Sequence, residues 1–270
     1  SAYFFLSARK QWMAVSGSPV TFFGTGTFYS EKYRMQTGVK ILHDKIGYLN
    51  SSDLSLSYAY SLASRNGALN MGLSLSYQLQ SADREKVDLE EEYDPALANF
   101  LETRKDWNAG IGVEYIAGRS LRVGLSAQNM FSFFKKGRVI FGGTNYLYGR
   151  YRIRILGRIW QPTAYRTTAS PTTCDMEWGI CLKQYENDFQ ADGVVSFYVN
   201  HHTQQEKFQF SLLGRSIGEI GILAGVKLIS EVKVLCAYDY NFKSWQENSR
   251  GTFEVIVSYP LFPAKCCLFP

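Results

Sequence analysis

Apolar and polar residues alternate with a period of two along most of this chain. Leu54, Leu56, Tyr58, Tyr60 and Leu62 interleave with Asp53, Ser55, Ser57, Ala59 and Ser61. Leu69, Met71, Leu73, Leu75, Tyr77 and Leu79 do the same against Asn70, Gly72, Ser74, Ser76 and Gln78. The pattern returns over Trp107–Tyr115, Phe208–Leu212, Ile220–Leu228 and Val232–Tyr240. A helix repeats its apolar face every three to four residues, so this periodicity predicts strands. About fourteen segments fit, each near the roughly ten residues of a tilted strand that crosses a bilayer. They fall at 2–13, 19–29, 34–44, 51–62, 67–79, 106–117, 119–130, 145–155, 158–168, 190–200, 205–215, 218–229, 231–242 and 249–261. Pro162 lies in the ninth, so that strand is irregular or its bounds lie elsewhere, because proline removes a ladder hydrogen bond.

The connections alternate in length. Even-numbered ones are short: Ser30–Tyr33, Ala63–Asn66, Gly118, a pair near Leu156, His201–Gln204 and Ser230. Odd-numbered ones are mostly longer, 80–105, 131–144 and 169–189 most of all, with 216–217 the short exception. This predicts an all-β fold: a transmembrane antiparallel up-and-down β-barrel with long extracellular loops, short periplasmic turns and both termini on the periplasmic rim of the outer membrane. Residues 1–270 are expected to form this single domain. A soluble β-sandwich would show the same alternation within each strand. Three features favour the barrel, and with it the lipid bilayer as a partner. The polar face is rich in Ser and Gly, where a solvated surface would carry more charge. Tyr and Trp gather at strand ends (Trp12, Tyr29, Tyr33, Tyr77, Trp107, Tyr115, Tyr240 and Tyr259), as aromatic girdles do. The strands are also uniformly long.

Composition agrees with a strand-rich chain: 18 Phe, 18 Tyr and 23 Gly but only 7 Pro in 270 residues. No apolar run approaches the roughly 18 residues of a spanning helix, which leaves a barrel open. A net charge of +5 without a Lys/Arg block argues against nucleic acid. Ser1 opens the chain without a basic, apolar leader, which is compatible with a processed signal peptide. Cys174 and Cys181 bracket a polar segment and are read equally as a disulfide or as free thiols; Cys236 reads as a small hydrophobe. His43, His201 and His202 lack metal-ligand spacing, and no cofactor is expected. The acidic run Asp88, Glu90, Glu91, Glu92 and Asp94 reads as a solvated loop rather than a calcium site. A membrane-embedded hydrolase would need a serine beside a histidine at the lipid-facing rim. No serine stands out, and no phosphate-binding loop is present, so the chain is not expected to be an enzyme.

Arg150, Arg152 and Arg154 alternate with Gly149, Tyr151, Ile153 and Ile155, which turns all three guanidinium groups inward. Arg9 and Gln11 face inward too if Leu6, Ala8 and Trp12 face lipid. These five residues are the candidate lumenal partner-binding site. Enclosed arginines need carboxylates or water, and Glu114, Glu219, Glu231, Asp239 and Glu254 stand on inward positions. The favoured reading is an ion-pair network; the alternative is a lumen that holds an acidic peptide or plug.

Several short motifs resemble the PorP/SprF proteins. They are Gln11-Trp12 with Gly17-Ser18-Pro19, Asp44-Lys45-Ile46-Gly47, and Leu56 to Tyr60. Asp94-Pro95, Asn108 to Gly112, Val123 to Ser126, Leu223 to Gly225, Tyr238-Asp239-Tyr240 and Val257-Ser258-Tyr259 follow in the same order. The resemblance implies an outer-membrane barrel of the type IX secretion and gliding system, with periplasmic ring lipoproteins as partners. It also implies retention of secreted adhesin C-terminal domains at the cell surface, and it transfers no catalytic residue. Residues 166–190 and the tail Cys266 to Pro270 depart from the family pattern. The function expected is a non-catalytic secretion component; the alternative is a diffusion channel or hydrophobic-solute transporter.

Overall fold

A computed structural model describes residues 1–82, 103–118, 120–131, 144–155, 173–185, 188–201, 204–228, 231–242 and 251–262. Its strands are β1 (Ala2–Lys10), β2 (Val20–Ser30), β3 (Met35–Ile46), β4 (Leu49–Ser64), β5 (Gly67–Ala82), β6 (Arg104–Ala117) and β7 (Leu121–Gln128). They continue as β8 (Thr144–Ile155), β9 (Thr173–Tyr185), β10 (Asp188–His201), β11 (Gln204–Arg215), β12 (Glu219–Lys227), β13 (Lys233–Asn241) and β14 (Thr252–Phe262). Every strand pairs antiparallel with its chain neighbours, and β1 closes on β14 with Leu6 opposite Val257. Closure satisfies the edge N–H and C=O groups that a membrane interior could not.

Burial is inverted relative to a water-soluble domain, and this decides between barrel and sandwich. Buried apolar residues among those described are Ala2, Tyr198, Leu235 and Ile256, whereas Asp53, Ser55, Asn108, Asp175, Glu177, Ser196, Ser211, Glu219 and Asp239 are buried. Leu73 is 63% exposed and Leu125 60%, and both stand on the outer face. A soluble sandwich would bury these leucines. Around them the outer face carries Ile41, Leu56, Ile111, Ile180, Leu212 and Ile222, all exposed. The aromatic girdles are present: Tyr77 packs on Trp107 at 5.0 Å and Tyr240 on Phe242 at 5.0 Å near one rim. Exposed Tyr33, Tyr115 and Tyr259 stand near the other.

The ninth strand differs from the expectation. It is Thr173–Tyr185, while residues 158–168, where the pattern suggested a strand, lie outside the described residues. The long stretch expected at 169–189 is therefore mostly strand. Its neighbour connection is residues 186–187, and the long connection of this region, 156–172, belongs to the rim that carries both termini (the terminal rim). The other connections at that rim remain short, and 83–103 and 129–143 remain the longest at the far rim. Cys174 and Cys181 are both free and lie seven positions apart on β9, so they point to opposite faces. Their Cα atoms are about 23 Å apart along a strand, far beyond the roughly 7 Å limit for a disulfide.

Candidate functional site

Alternation on β8 turns Arg150, Arg152 and Arg154 into the lumen as expected, and each meets a carboxylate. Arg152 donates to Glu206 Oε1 at 2.7 Å and to Asp175 Oδ2 at 3.0 Å. Arg154 Nε donates to Asp175 Oδ1 at 3.3 Å, and Arg150 lies 3.4 Å from Glu177. None of these carboxylates was among those expected. Asp175 and Glu177 stand on β9, inside the stretch 169–189 that the sequence pattern predicts as a connection. Glu206 sits where the β10–β11 register shifts, with φ of 55°, its N–H donating to Asn200 Oδ1 at 2.8 Å. That bulge aims Glu206 past two strands to Arg152 and, on its other side, to Lys233 at 3.3 Å. The Tyr198 ring lies beneath both cations, 4.4 Å from the Arg152 guanidinium carbon and 5.3 Å from Lys233 Nζ. Strand directions place this cluster near the terminal rim.

A second network crosses the same wall near the far rim. Lys183 meets Asp192 at 2.6 Å, and Arg215 meets Glu219 at 2.6 Å and Asp239 at 3.1 Å. Arg9 faces inward as expected and reaches Asp239 at 3.4 Å, across the intervening β14. Gln11 lies beyond the end of β1, where its backbone N–H donates to Pro19 O. Of the expected carboxylates, Asp239 and Glu219 join this network, whereas Glu231 pairs with Lys227 at 2.7 Å outside it.

The opposite wall, β2 to β8, is built differently. Ser55, Ser57, Ser74, Ser76 and Gly110 line a cavity of about 620 Å3 toward the far rim. A second cavity, of about 970 Å3, lies toward the terminal rim and is lined by residues including Gln36, Ser61, Asn70 and Gly72. Each has a satisfied carboxylate at its wall. Asp53 accepts from Ser55 and Gln78 and pairs with Lys40 at 3.0 Å. Glu114 accepts from Asn70 at 2.9 Å and from Tyr148 at 2.6 Å. Tyr148 reaches Glu114 only because Gly124 lies between them; a Cβ there would strike the Tyr148 ring. The lumen is thus half ion pairs and half open polar space.

One serine does stand beside a histidine. His43 Nδ1 and Ser52 Oγ are 2.9 Å apart on the outer face of β3 and β4. The β3–β4 ladder is unbroken from Met35↔Tyr60 to Ile46↔Leu49, so its N–H groups serve the sheet and are not free to bind an oxyanion. The pair reads as a cross-strand hydrogen bond.

A family model described as the type IX secretion system membrane protein PorP/SprF matches residues 1–259. A comparison with curated proteins gives no match. Among solved structures, the outer membrane protein Omp33 of Acinetobacter baumannii superposes with a TM-score of 0.51 at 8% identity, covering 95% of this chain and 96% of that one. A mutant porin of Rh. blastica follows with a TM-score of 0.39 at 9% identity over 96% and 98%. At such identities Omp33 speaks for the fold alone, and the porin adds no argument. Outward leucines, closed strands and the match over nearly all the chain lead to one assignment: this outer-membrane barrel belongs to the PorP/SprF family of type IX secretion system membrane proteins.

Proposed function

We propose that residues 1–270 act as one non-catalytic anchoring domain of the secretion and gliding machinery. The terminal rim docks periplasmic ring lipoproteins, and the lumen or far-rim loops retain the C-terminal domain of a secreted adhesin. The observation that carries this reading is the divided lumen: one wall is braced at both rims by ion pairs, while the other leaves cavities of about 620 and 970 Å3 for a guest. Short connections at the terminal rim, 156–172 excepted, support its assignment to the periplasm. As direct partner contacts, Arg9, Gln11, Arg150, Arg152 and Arg154 belong to the proposal too. An incoming carboxylate would compete there with Asp175, Glu177, Glu206 and Asp239.

A pull-down from gently solubilised outer membranes tests the reading, with ring lipoproteins or a secreted protein as the expected companions. Barrel recovered alone would sink it. Replacing Arg150, Arg152 and Arg154 together is expected to weaken capture if they touch the partner; unchanged capture by a destabilised barrel would assign them to the wall. The open polar cavities also favour a second reading, a diffusion channel or solute transporter. Steady ionic current through the purified barrel in planar bilayers would select it, whereas an anchor should pass little.

A further inference from the structure

We propose that the terminal-rim mouth of the larger cavity is a receptor for a carboxylate-rich polypeptide segment, with Arg34, Arg65 and Arg122 as its binding cations. This rests on the secretion reading above and names the chemistry of the guest. The contrast between the two walls carries it. Arg9, Arg150, Arg152, Arg154 and Arg215 each hold a carboxylate. Arg34, Arg65 and Arg122 are exposed, and among the described residues none of their guanidinium groups has one. Arg122 also stands directly opposite Arg150 in the β7–β8 register, both facing inward. Like charges so placed weaken a sheet, and an anion between them removes the penalty.

Arg34 and Arg65 line the cavity of about 970 Å3 itself, a volume in the range of ligand sites. Glu114 on its wall is already engaged by Asn70 and Tyr148, and Glu31 is the remaining acid in its lining. The three arginines stand beside β3, β4 and β7, so they spread over about 20 Å of rim at the usual strand spacing. A lone phosphate cannot bridge that span. An extended chain of about six residues can, at roughly 3.3 Å each. Position argues against lipid headgroups as the ligand. These arginines face the lumen or its mouth, whereas Lys32 of the same turn lies over the Tyr33 ring at 5.3 Å.

The full barrel in zwitterionic nanodiscs would be titrated with a labelled peptide of roughly eight residues, alternating Asp and Ser, and with its Asn counterpart, by fluorescence anisotropy. The Asp peptide should bind and the Asn peptide should not. R34Q/R65Q/R122Q should weaken binding on the order of tenfold to a hundredfold, and R34K/R65K/R122K should keep most of it. The thermal unfolding midpoint should not fall, because no internal ion pair is lost and the Arg122–Arg150 repulsion is relieved. Equal binding by the Gln variant, or equal binding of both peptides, overturns the proposal. So does a Gln variant whose defect is confined to co-flotation with phosphatidylglycerol vesicles. In the pull-down, companions retained undiminished by the Gln variant refute this site alone, whereas a wild-type barrel without companions refutes the secretion reading.

Discussion

At Glu206 a backbone with φ of 55° carries a carboxylate shared by Arg152 and Lys233. A non-glycine residue holds that conformation only when its surroundings compensate, and here the two cations do so. Glu206→Gln leaves Arg152 and Lys233 facing each other over the Tyr198 ring. The expected loss is about 1–2 kcal/mol, less than for a fully enclosed pair because Glu206 is a third exposed. It would be read from the urea midpoint in micelles, and an unmoved midpoint refutes the clamp. Gly124→Ala should cost about 1–3 kcal/mol by pushing Tyr148 off Glu114. In a Tyr148→Ala background the same change should be nearly neutral; a full cost there would show that the ring is not the cause. The inward direction of Arg150, Arg152 and Arg154 was legible in the sequence because it follows from local alternation. Their partners were not, because pairing depends on register between strands and on a bulge at Glu206 that no local pattern announces.

At the scale of the strand, β5 shows the two environments side by side. Leu73 faces lipid and Ser74 the lumen. Leu73→Arg should cost about 2–4 kcal/mol in membrane insertion, and Ser74→Arg distinctly less. Equal tolerance at both positions would contradict an outer lipid face. On β9 the faces separate the cysteines. Oxidation of the folded barrel should yield no Cys174–Cys181 linkage in its tryptic peptides, and finding one would contradict the strand assignment. β9 itself escaped the sequence reading for a physical reason. Its inward positions carry Asp175, Glu177 and Lys183, charges that suit an ion-paired wall but imitate a solvated loop. Where the inward face is Ser and Gly, as on β4 and β5, alternation was unmistakable.

For the whole molecule, the seam between β1 and β14 turns a curled sheet into a barrel. Ala8 and Val255 are register partners across it. With Cys236, which faces Val255 from β13, replaced by Ser, Ala8→Cys combined with Val255→Cys should therefore oxidise to a crosslink, seen as altered mobility after unfolding. Absence of that crosslink in folded protein would refute closure. Alternation and strand number follow from properties each short segment carries by itself, and these the chain alone determined; the rim-to-rim contrast in connection length breaks on either side of β9, where 156–172 is long and 186–187 short. Three things waited for the tertiary structure: the true ninth strand, the carboxylate that each arginine meets, and the division of the lumen into a braced wall and an open one. All three arise from residues far apart in sequence, brought within a few ångströms only when fourteen strands settle into a common register and close.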